Sequence, residues 1–336
     1  MKTWIKDTIT YFLWSLKLTS PLKYASDKLT VITFHRVLKE TQSREYPLPG
    51  LVVTEQEFDW ILSELSTYFR CGSLDESIAY IKNKSVSHLP PLAITFDDGQ
   101  LDNFENALPI LSKHNIKATF YIPTDFIGKK DFLWHDIVGF SLKKLNQSPN
   151  EFSAIKEILN QYLDANSDYS DIKNTVNLCK TLSSDKLMSL ADALSKITQP
   201  LIPSWAGMMD WEQINQLNDE GHEIGSHTRT HPVLTEISNP DELSDQIKGS
   251  KSIIEKHINR DVHSFCYPNG DQDDAIQAIV RNSGYFNAVT TEIGNNVLAT
   301  DLMDIKRIDI DPVRIRNRKG SLSKYSLHYR LSCIKH

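Results

Sequence analysis

Cysteine is scarce and scattered in this chain. Four cysteines occur among 336 residues (Cys71, Cys179, Cys266 and Cys333), and no two of them form a CxxC pair. A dense disulfide framework is therefore excluded, and free thiols suit a reducing compartment. Internal repeats and low-complexity tracts are also absent. With 40% hydrophobic and 24% charged residues, the composition is typical of a soluble globular protein.

The chain has no overall excess of basic residues. Its formal net charge is −6, which excludes a nucleic-acid-binding function because that function needs a concentrated basic surface. The charge is uneven, however, since seven Lys or Arg and no Asp or Glu occur from Arg314 to the end. For residues 313–336, we expect either a solvated, partly disordered tail or attraction to an anionic membrane surface.

The N-terminus lacks an uninterrupted apolar run. Polar residues interrupt residues 9–16, and no Ala-x-Ala follows them, so the pattern is not that of a secretory signal. Charges at Lys6, Asp7 and Lys17 exclude a membrane-spanning helix of about 20 apolar residues. Residues 1–28 instead form an amphipathic segment in which aromatic residues neighbour lysines. Two interpretations stay open: a helix at a membrane interface and an ordinary packing helix.

Strand-like and helix-like runs alternate along most of the chain, which predicts a parallel α/β sheet or barrel. Seven runs have strand character, enough to close or nearly close a barrel: LTVITFH, PLAITF, KATFYI, HEIGSH, VHSFCYP, YFNAVTT and MDIKRIDI. Capping boxes at Thr54 and Asp210 predict two helix starts. Residues 128–207 are helical and polar, so we predict a helical insertion between the two parts of the α/β domain, 29–127 and 208–312.

Unusual polar residues follow two of the predicted strands. Asp97 and Asp98 end a buried apolar strand, where two carboxylates are costly unless a cation meets them. His227 and His231 lie four residues apart in a turn after another strand. Either motif alone is commonly incidental, but together they suggest a metal site. One carboxylate and two imidazoles supply three protein ligands and leave a position open for water, as in catalytic zinc sites. The second carboxylate is then free to act as general base.

The motifs TFDDG and SHTRTHP together resemble the first two motifs of the polysaccharide deacetylases, carbohydrate esterase family 4. This resemblance covers roughly residues 29–310, without the insertion, and implies a deformed (β/α) barrel of about seven parallel strands. It also implies that Asp97 is the catalytic base. Asp98, His227 and His231 would bind Zn²⁺ or another divalent transition metal.

A third motif, Tyr267-Pro268-Asn269-Gly270, is similar to the family's third motif but lacks its arginine. A branch of the family that acts on exported or lipid-linked glucosamine polymers shares this departure. The resemblance implies that the backbone N–H near Asn269 donates to the developing oxyanion. Arg307 is our candidate for orienting Asp97 in place of the missing arginine; the alternative is a surface ion pair.

His35 resembles a histidine that the same branch places beside the site. It is a candidate general acid for the leaving amine, or else a structural histidine beneath the site. Three sets of aromatic residues are candidates for contact with a sugar, with core packing as the alternative: Trp134-His135-Asp136, Trp205 and Trp211. The pair Leu327-His328 lies in the basic tail, and we assign it no role.

The leading hypothesis is metal-dependent removal of N-acetyl groups from an amino-sugar glycan, including a lipid-linked or cell-surface polysaccharide precursor. The alternatives are a deformylase or O-deacetylase acting on a related glycan, and a barrel that only binds glycan. The free cysteines, the amphipathic N-terminus and the basic tail favour a cytoplasmic enzyme, peripheral at the inner membrane face. The sequence leaves the oligomeric state open.

Overall fold

A computed structural model of the chain describes residues 3–25, 28–83, 89–164, 167–297 and 301–334. Its strands are β1 (Lys28–Phe34), β2 (Arg36–Leu38), β3 (Val52–Thr54), β4 (Arg70–Gly72), β5 (Pro91–Phe96), β6 (Thr119–Ile122), β7 (Glu223–Ser226), β8 (Ser264–Cys266), β9 (Asn287–Val289), β10 (Asn296–Val297) and β11 (Ile308–Asp309). Every one of the seven predicted strand regions contains a strand. The short strands β2, β3, β4 and β10 were not predicted.

Helices flank the sheet and fill the long insertion. Those before the insertion are α1 (Thr3–Ser15), α2 (Pro21–Tyr24), α3 (Glu40–Glu45), α4 (Glu55–Tyr68), α5 (Leu74–Lys82) and α6 (Leu108–Lys113). Those of the insertion are α7 (Trp134–Gln147), α8 (Ser153–Tyr162), α9 (Ile172–Cys179) and α10 (Ser184–Thr198). Those after it are α11 (Trp211–Asp219), α12 (Pro240–Ser244), α13 (Ser250–Ile258), α14 (Asp274–Asn282), α15 (Pro312–Ile315) and α16 (Lys324–Leu331). None of these described helices is long and apolar enough to cross a membrane.

The main sheet curls into a deformed barrel, as predicted. Its order is β10-β1-β5-β6-β7-β8-β9, with β4 beside β5 and β11 beside β1. All pairings in this sheet are parallel except that of β10 with β1. Ile305 forms a parallel bridge with Val289, and three residues later Ile308 pairs with Ile32. The stretch before and within β11 therefore connects β9 to β1.

Local sequence explains where the flanking helices begin. The Thr54 hydroxyl accepts from Glu57 N–H, and the Glu57 carboxylate accepts from Thr54 N–H, which forms the predicted capping box of α4. Asp210 and Gln213 form the same arrangement at α11. These helices pack apolar side chains against the outer face of the sheet in one continuous core.

The insertion consists of helices among its described residues and has its own apolar core. A buried polar network joins it to the barrel. Asp136, at the start of α7, accepts from Tyr46 Oη (2.5 Å) and from Gln100 Nε2 (3.2 Å). Arg36 Nη1 lies 3.7 Å from the Asp136 carboxylate, and Arg36 Nε lies 3.0 Å from Asp102 Oδ1. These contacts fix the first turn of α7 against the strand ends.

The two chain ends pack on one another. Lys6 Nζ donates to the backbone oxygens of Arg314 (3.0 Å) and Arg316 (2.6 Å). The ring of Trp14 lies 4.8 Å from that of His328, and His328 is buried. The charge pattern favoured a solvated tail, but α16 instead buries Leu327 and Leu331 in the main core. Apolar residues four apart give this basic helix a buried face.

Candidate active site

Asp97 lies inside the barrel because it continues the alternation of β5. Side chains alternate between the two faces of a strand, and Ala93 belongs to the interior cluster. Thr95 and Asp97 lie two and four residues after Ala93, so their side chains point to the same interior face. Both Asp97 and Asp98 are 3% exposed.

The backbone then turns sharply, so the two adjacent aspartates point to different partners. Asp98 has φ 75° and Gly99 has φ 66°. The positive φ favours glycine at position 99, and a Cβ there would lie 3.1 Å from the Ile127 side chain, which would have to shift slightly. Positive φ is uncommon for a residue such as Asp98 and signals local strain.

Two histidines after β7 face the Asp98 carboxylate. The distances to Asp98 Oδ1 are 3.6 Å from His227 Nε2 and 3.4 Å from His231 Nε2. The turn between them is held by a bond from His231 N–H to Thr228 Oγ1 (3.0 Å). Thr228 and His231 also have positive φ, 67° and 56°. The structure therefore brings together the three residues predicted as metal ligands.

The geometry of this cluster, Asp98, His227 and His231, fits a divalent metal ion. One ligand atom from each residue lies within 4.8 Å of the others. Ligand atoms at about 2.0–2.2 Å from a tetrahedral zinc ion lie about 3.3–3.5 Å apart, close to the separations from Asp98 Oδ1. His227 Nδ1 lies 2.8 Å from the carbonyl oxygen of Cys266. If His227 Nδ1–H donates to this oxygen, the lone pair of His227 Nε2 points toward the Asp98 carboxylate. That arrangement is favourable when a cation lies between the imidazole and the carboxylate.

Burial and neighbouring charges adjust the ionisation of these ligands. Burial, followed by the influence of His227, lowers the pKa of His231 to about 3. Its imidazole is therefore neutral at physiological pH, as metal binding requires. Burial opposes ionisation of Asp98, but the facing histidines outweigh it and hold the pKa of the carboxyl well below its usual value.

A second triad, Asp97, His227 and Cys266, also brings ligand atoms close together. Two of its members are already engaged. Arg307 donates to both carboxylate oxygens of Asp97, and its Nη2 lies 3.3 Å from Cys266 Sγ. Burial raises the pKa of the Cys266 thiol, which disfavours the thiolate that a metal would need. The cluster with Asp98 is the better metal site.

Arg307 meets Asp97 in a bidentate ion pair at the barrel centre. Nη1 lies 2.7 Å from Asp97 Oδ1, and Nη2 lies 2.8 Å from Oδ2. The guanidinium is held in turn by the Thr290 carbonyl (2.9 Å) and by the hydroxyls of Thr33 (3.1 Å) and Thr95 (3.2 Å). Arg307 is 2% exposed, so the alternative of a surface ion pair is wrong.

This pair sets the charge on Asp97. Burial opposes ionisation, but the charge and hydrogen bonds of Arg307 outweigh it, so the pKa of Asp97 lies below its ordinary 3.8. The carboxylate is therefore ionised at neutral pH, with both of its oxygens held in position.

The other two predicted residues lie at neighbouring strand ends. His35 follows β1 and points its Nε2 at Asp97 Oδ2, 3.9 Å away, with a partly exposed side chain. Asn269 has φ 57° in a turn closed by bonds from Gly270 N–H to Tyr267 O (2.9 Å) and from Asp271 N–H to Pro268 O (3.3 Å). The Asn269 N–H takes part in neither bond.

The three sets of candidate aromatic residues are explained mainly by packing. Trp134 is 3% exposed, Trp205 packs on Phe140 and Arg36, and Trp211 stacks on His257 with ring centroids 3.8 Å apart. His135 is the exception, because its Nε2 lies 3.7 Å from Asp98 Oδ2. The sequence suggested a groove residue there. No local pattern places a residue of a separate helix beside the metal cluster.

Comparison with known proteins points to one family. The family model described as polysaccharide deacetylase matches residues 84–165 and 170–288, more than half of the chain. A poly-β-1,6-N-acetyl-D-glucosamine N-deacetylase of Staphylococcus epidermidis is 28% identical over 138 residues, or 38% of this chain and 46% of that protein. One from Staphylococcus aureus is 27% identical over 136 residues, with the same coverage. The match thus spans about half the length of these relatives.

Solved structures share the fold. The deacetylase PplD of Streptococcus pyogenes, in complex with acetate, superposes with a TM-score of 0.56 at 20% identity, covering 85% of this chain and 94% of that one. IcaB of Ammonifex degensii superposes with a TM-score of 0.58 at 16% identity, covering 91% and 97%. At these identities the likeness shows the fold alone.

The ion pair leads to a prediction about stability and pH. Arg307→Met leaves the Asp97 charge buried without a partner, a change that costs about 3–5 kcal/mol. The folded-state pKa of Asp97 is depressed below 3.8, so the pair's contribution is fully present above that pH and is lost as pH falls through the folded pKa. Urea unfolding at pH 7 and at low pH measures both effects.

Arg281→Met is the matched control. Arg281 also contacts both oxygens of a carboxylate, that of Asp301, but this pair is exposed and contributes only about 0–1 kcal/mol. If Arg307→Met fails to fold, Arg307→Lys replaces it in the same unfolding measurement. The lysine retains the positive charge but cannot reproduce the bidentate contact with Asp97. Equal losses of stability for Arg307→Met and Arg281→Met contradict the prediction.

Proposed function

Because the chain belongs to the polysaccharide deacetylase family, we propose that it is a metal-dependent hydrolase that removes N-acetyl groups from an amino-sugar glycan. One observation carries this proposal. A buried cluster suited to a divalent metal lies directly beside a carboxylate that is held ionised by an arginine. A metal site alone would also suit a structural role, but the adjacent ionised carboxylate supplies a general base.

Asp98, His227 and His231 hold the metal, with zinc as the first candidate because its sites combine nitrogen and oxygen ligands. A divalent metal held by these residues would supply Lewis-acid chemistry, which lowers the pKa of water and polarises a carbonyl. Asp97 takes the proton from the attacking water, and Arg307 keeps it oriented for that step. The oxygen–carbon bond forms first; the carbon–nitrogen bond then breaks and releases acetate.

Two further groups complete the reaction. The Asn269 N–H donates to the oxyanion that develops on the carbonyl. His35 donates a proton to the departing nitrogen as the carbon–nitrogen bond breaks, so that the sugar leaves as a neutral amine. Its place near Asp97 and its partly exposed side chain support this role, since a general acid must be within reach of both the site and the substrate.

The relatives suggest a first substrate class to test. The staphylococcal proteins are named for a β-1,6-linked N-acetylglucosamine polymer, so oligomers of that type are the first substrates to test. A lipid-linked precursor is the second. Assays with N-formylated and O-acetylated glycans distinguish the deformylase and O-deacetylase alternatives from N-deacetylation. Complete ligands and an ionised base favour a catalyst over a barrel that only binds glycan.

The first test of the mechanism separates base from ligands. In Asp97→Asn, the amide cannot accept a proton from water, so kcat should fall by ~10²–10⁴-fold while metal content is unchanged. Acetate release and metal analysis on the same preparation measure the two effects. The control is Asp59→Asn, at a partly exposed carboxylate that forms ion pairs with Lys113 and His114. Near-normal turnover in Asp97→Asn would show that Asp97 is not the general base.

The second test addresses the metal itself. We expect about one divalent ion per chain, held by Asp98, His227 and His231, because the other buried triad shares His227 with this one and its Asp97 and Cys266 contact Arg307. A chelator should abolish acetate release, and adding the ion back should restore it. His231→Ala should lower the amount of bound metal, whereas His257→Ala, at a histidine that stacks on Trp211, should not. Full activity in the metal-free protein contradicts the proposal.

We also propose that the enzyme is cytoplasmic and binds anionic bilayers through α1. Seven of the thirteen exposed large apolar residues in the described chain lie between residues 4 and 22. Ile9 and Phe12, three residues apart, share one outward face of α1, and the exposed Leu16 directly follows the helix. Arg318, Lys319 and Lys324 line a groove beside α1, together with aromatic side chains. Aromatic and apolar groups beside cations suit a membrane interface.

Sedimentation with vesicles tests this surface. The double variant Phe12→Ser, Leu16→Ser removes two exposed apolar groups and should sharply reduce binding to anionic vesicles at low salt. Phe286→Ser, which alters an apolar residue of similar exposure elsewhere, should bind normally. High salt should weaken binding because each Lys or Arg contributes about 1 kcal/mol within a Debye length. An intact protein that stays in the supernatant shows the membrane proposal to be wrong.

A further inference from the structure

His135 reaches the metal cluster from outside the barrel. It lies in the first turn of α7, next to Asp136, which the Arg36 network holds against the barrel. The side chain of His135 is 9% exposed. Because the neighbouring residue is fixed by several buried contacts, the position of His135 relative to Asp98 is set by the packing of the insertion on the barrel.

His135 and the two ligand histidines face different oxygens of one carboxylate. His227 and His231 face Asp98 Oδ1, whereas His135 Nε2 faces Oδ2 at 3.7 Å. That distance is longer than a hydrogen bond. Within the described chain, His135 Nε2 is buried and has no hydrogen-bond partner.

An unpartnered nitrogen at this position is not explained by packing. Leaving a buried polar group unsatisfied costs about 1–3 kcal/mol, and an apolar side chain would fill the same space without that cost. Asp98 Oδ2 lies 3.7 Å from this nitrogen, whereas the contacts of His227 and His231 are to Asp98 Oδ1. This arrangement indicates a role for His135 that depends on the state of Asp98.

We propose that His135 is a positioning residue for the metal ligand Asp98. This inference rests on the proposed function, because it requires that Asp98 Oδ1 binds the metal. His135 Nε2–H then donates to Oδ2 and holds the carboxylate plane. Carboxylates that bind metals are commonly hydrogen-bonded in this way, and loss of such a partner costs about 10–100-fold in metal affinity.

A consequence follows for the insertion. His135 belongs to the helical segment and Asp98 to the barrel, so metal affinity depends on how α7 sits on the strand ends. The insertion is thus part of the metal centre.

Metal affinity measured on the full chain tests the proposal. The Kd for Zn²⁺ is obtained by competition with a chromophoric chelator, and the stability of each metal-free protein by urea unfolding. His135→Ala should bind Zn²⁺ about 10–100-fold more weakly. His135→Gln keeps an amide donor and should recover much of that loss. His257→Ala should bind as the wild type does.

The outcomes separate the possible roles. Unchanged affinity in His135→Ala overturns the proposal, even if the metal-free protein is less stable, since that result describes packing alone. Substitution with Co²⁺ provides a second readout. If the Co²⁺ spectrum of His135→Ala shows the same coordination as that of the wild type, the positioning role is supported. If it shows one ligand fewer, His135 binds the metal directly and the proposal is overturned. A wild-type protein that binds no metal overturns the proposed function itself.

Discussion

The ion pair between Arg307 and Asp97 is the interaction on which the rest of the site depends. An isolated carboxylate at the centre of a barrel would take up a proton or destabilise the fold. Both oxygens of Asp97 instead meet one guanidinium, which is in turn bonded to three strand ends through Thr33, Thr95 and Thr290. One arginine thus fixes the charge of the carboxylate, its orientation and the relative positions of β1, β5 and β9.

Most of the strands and the polar residues that follow them could be predicted from the sequence, because strand periodicity and turn-forming residues are properties of short segments. The seven strand regions follow from short β-rich runs, and the polar residues Asp97, Asp98, His227 and His231 follow directly after such runs. Arg307 also lies at a predicted strand, although only the structure shows its bidentate contact. The strands β2, β3, β4 and β10 were missed because they have only two or three residues and lie outside the seven β-rich runs, whereas the equally short β8, β9 and β11 lie inside such runs.

The surroundings of His135 and of the two chain ends could not be predicted from the sequence, for a different reason. Their environment is created by tertiary packing of segments far apart in the chain. His135 lies in a helix whose own pattern predicts only an apolar core, and the Arg36–Asp136 contact that positions it joins residues 100 apart. The basic tail likewise reads as a solvated end until α1 supplies a surface against which Leu327 and His328 are buried.

The position of Arg307 along the chain has a consequence for biosynthesis. Asp97 and its partner are 210 residues apart, so a ribosome adds Asp98, His227 and His231 before it adds the arginine. During that interval, the nascent barrel lacks both its closing strand and the countercharge for its central carboxylate. Until Arg307 is in place, burial of Asp97 opposes its ionisation, so docking of the segment that carries Arg307 couples barrel closure to the charge on Asp97. A chain released before residue 307 would keep Asp98, His227 and His231 but lack the partner that holds Asp97 ionised.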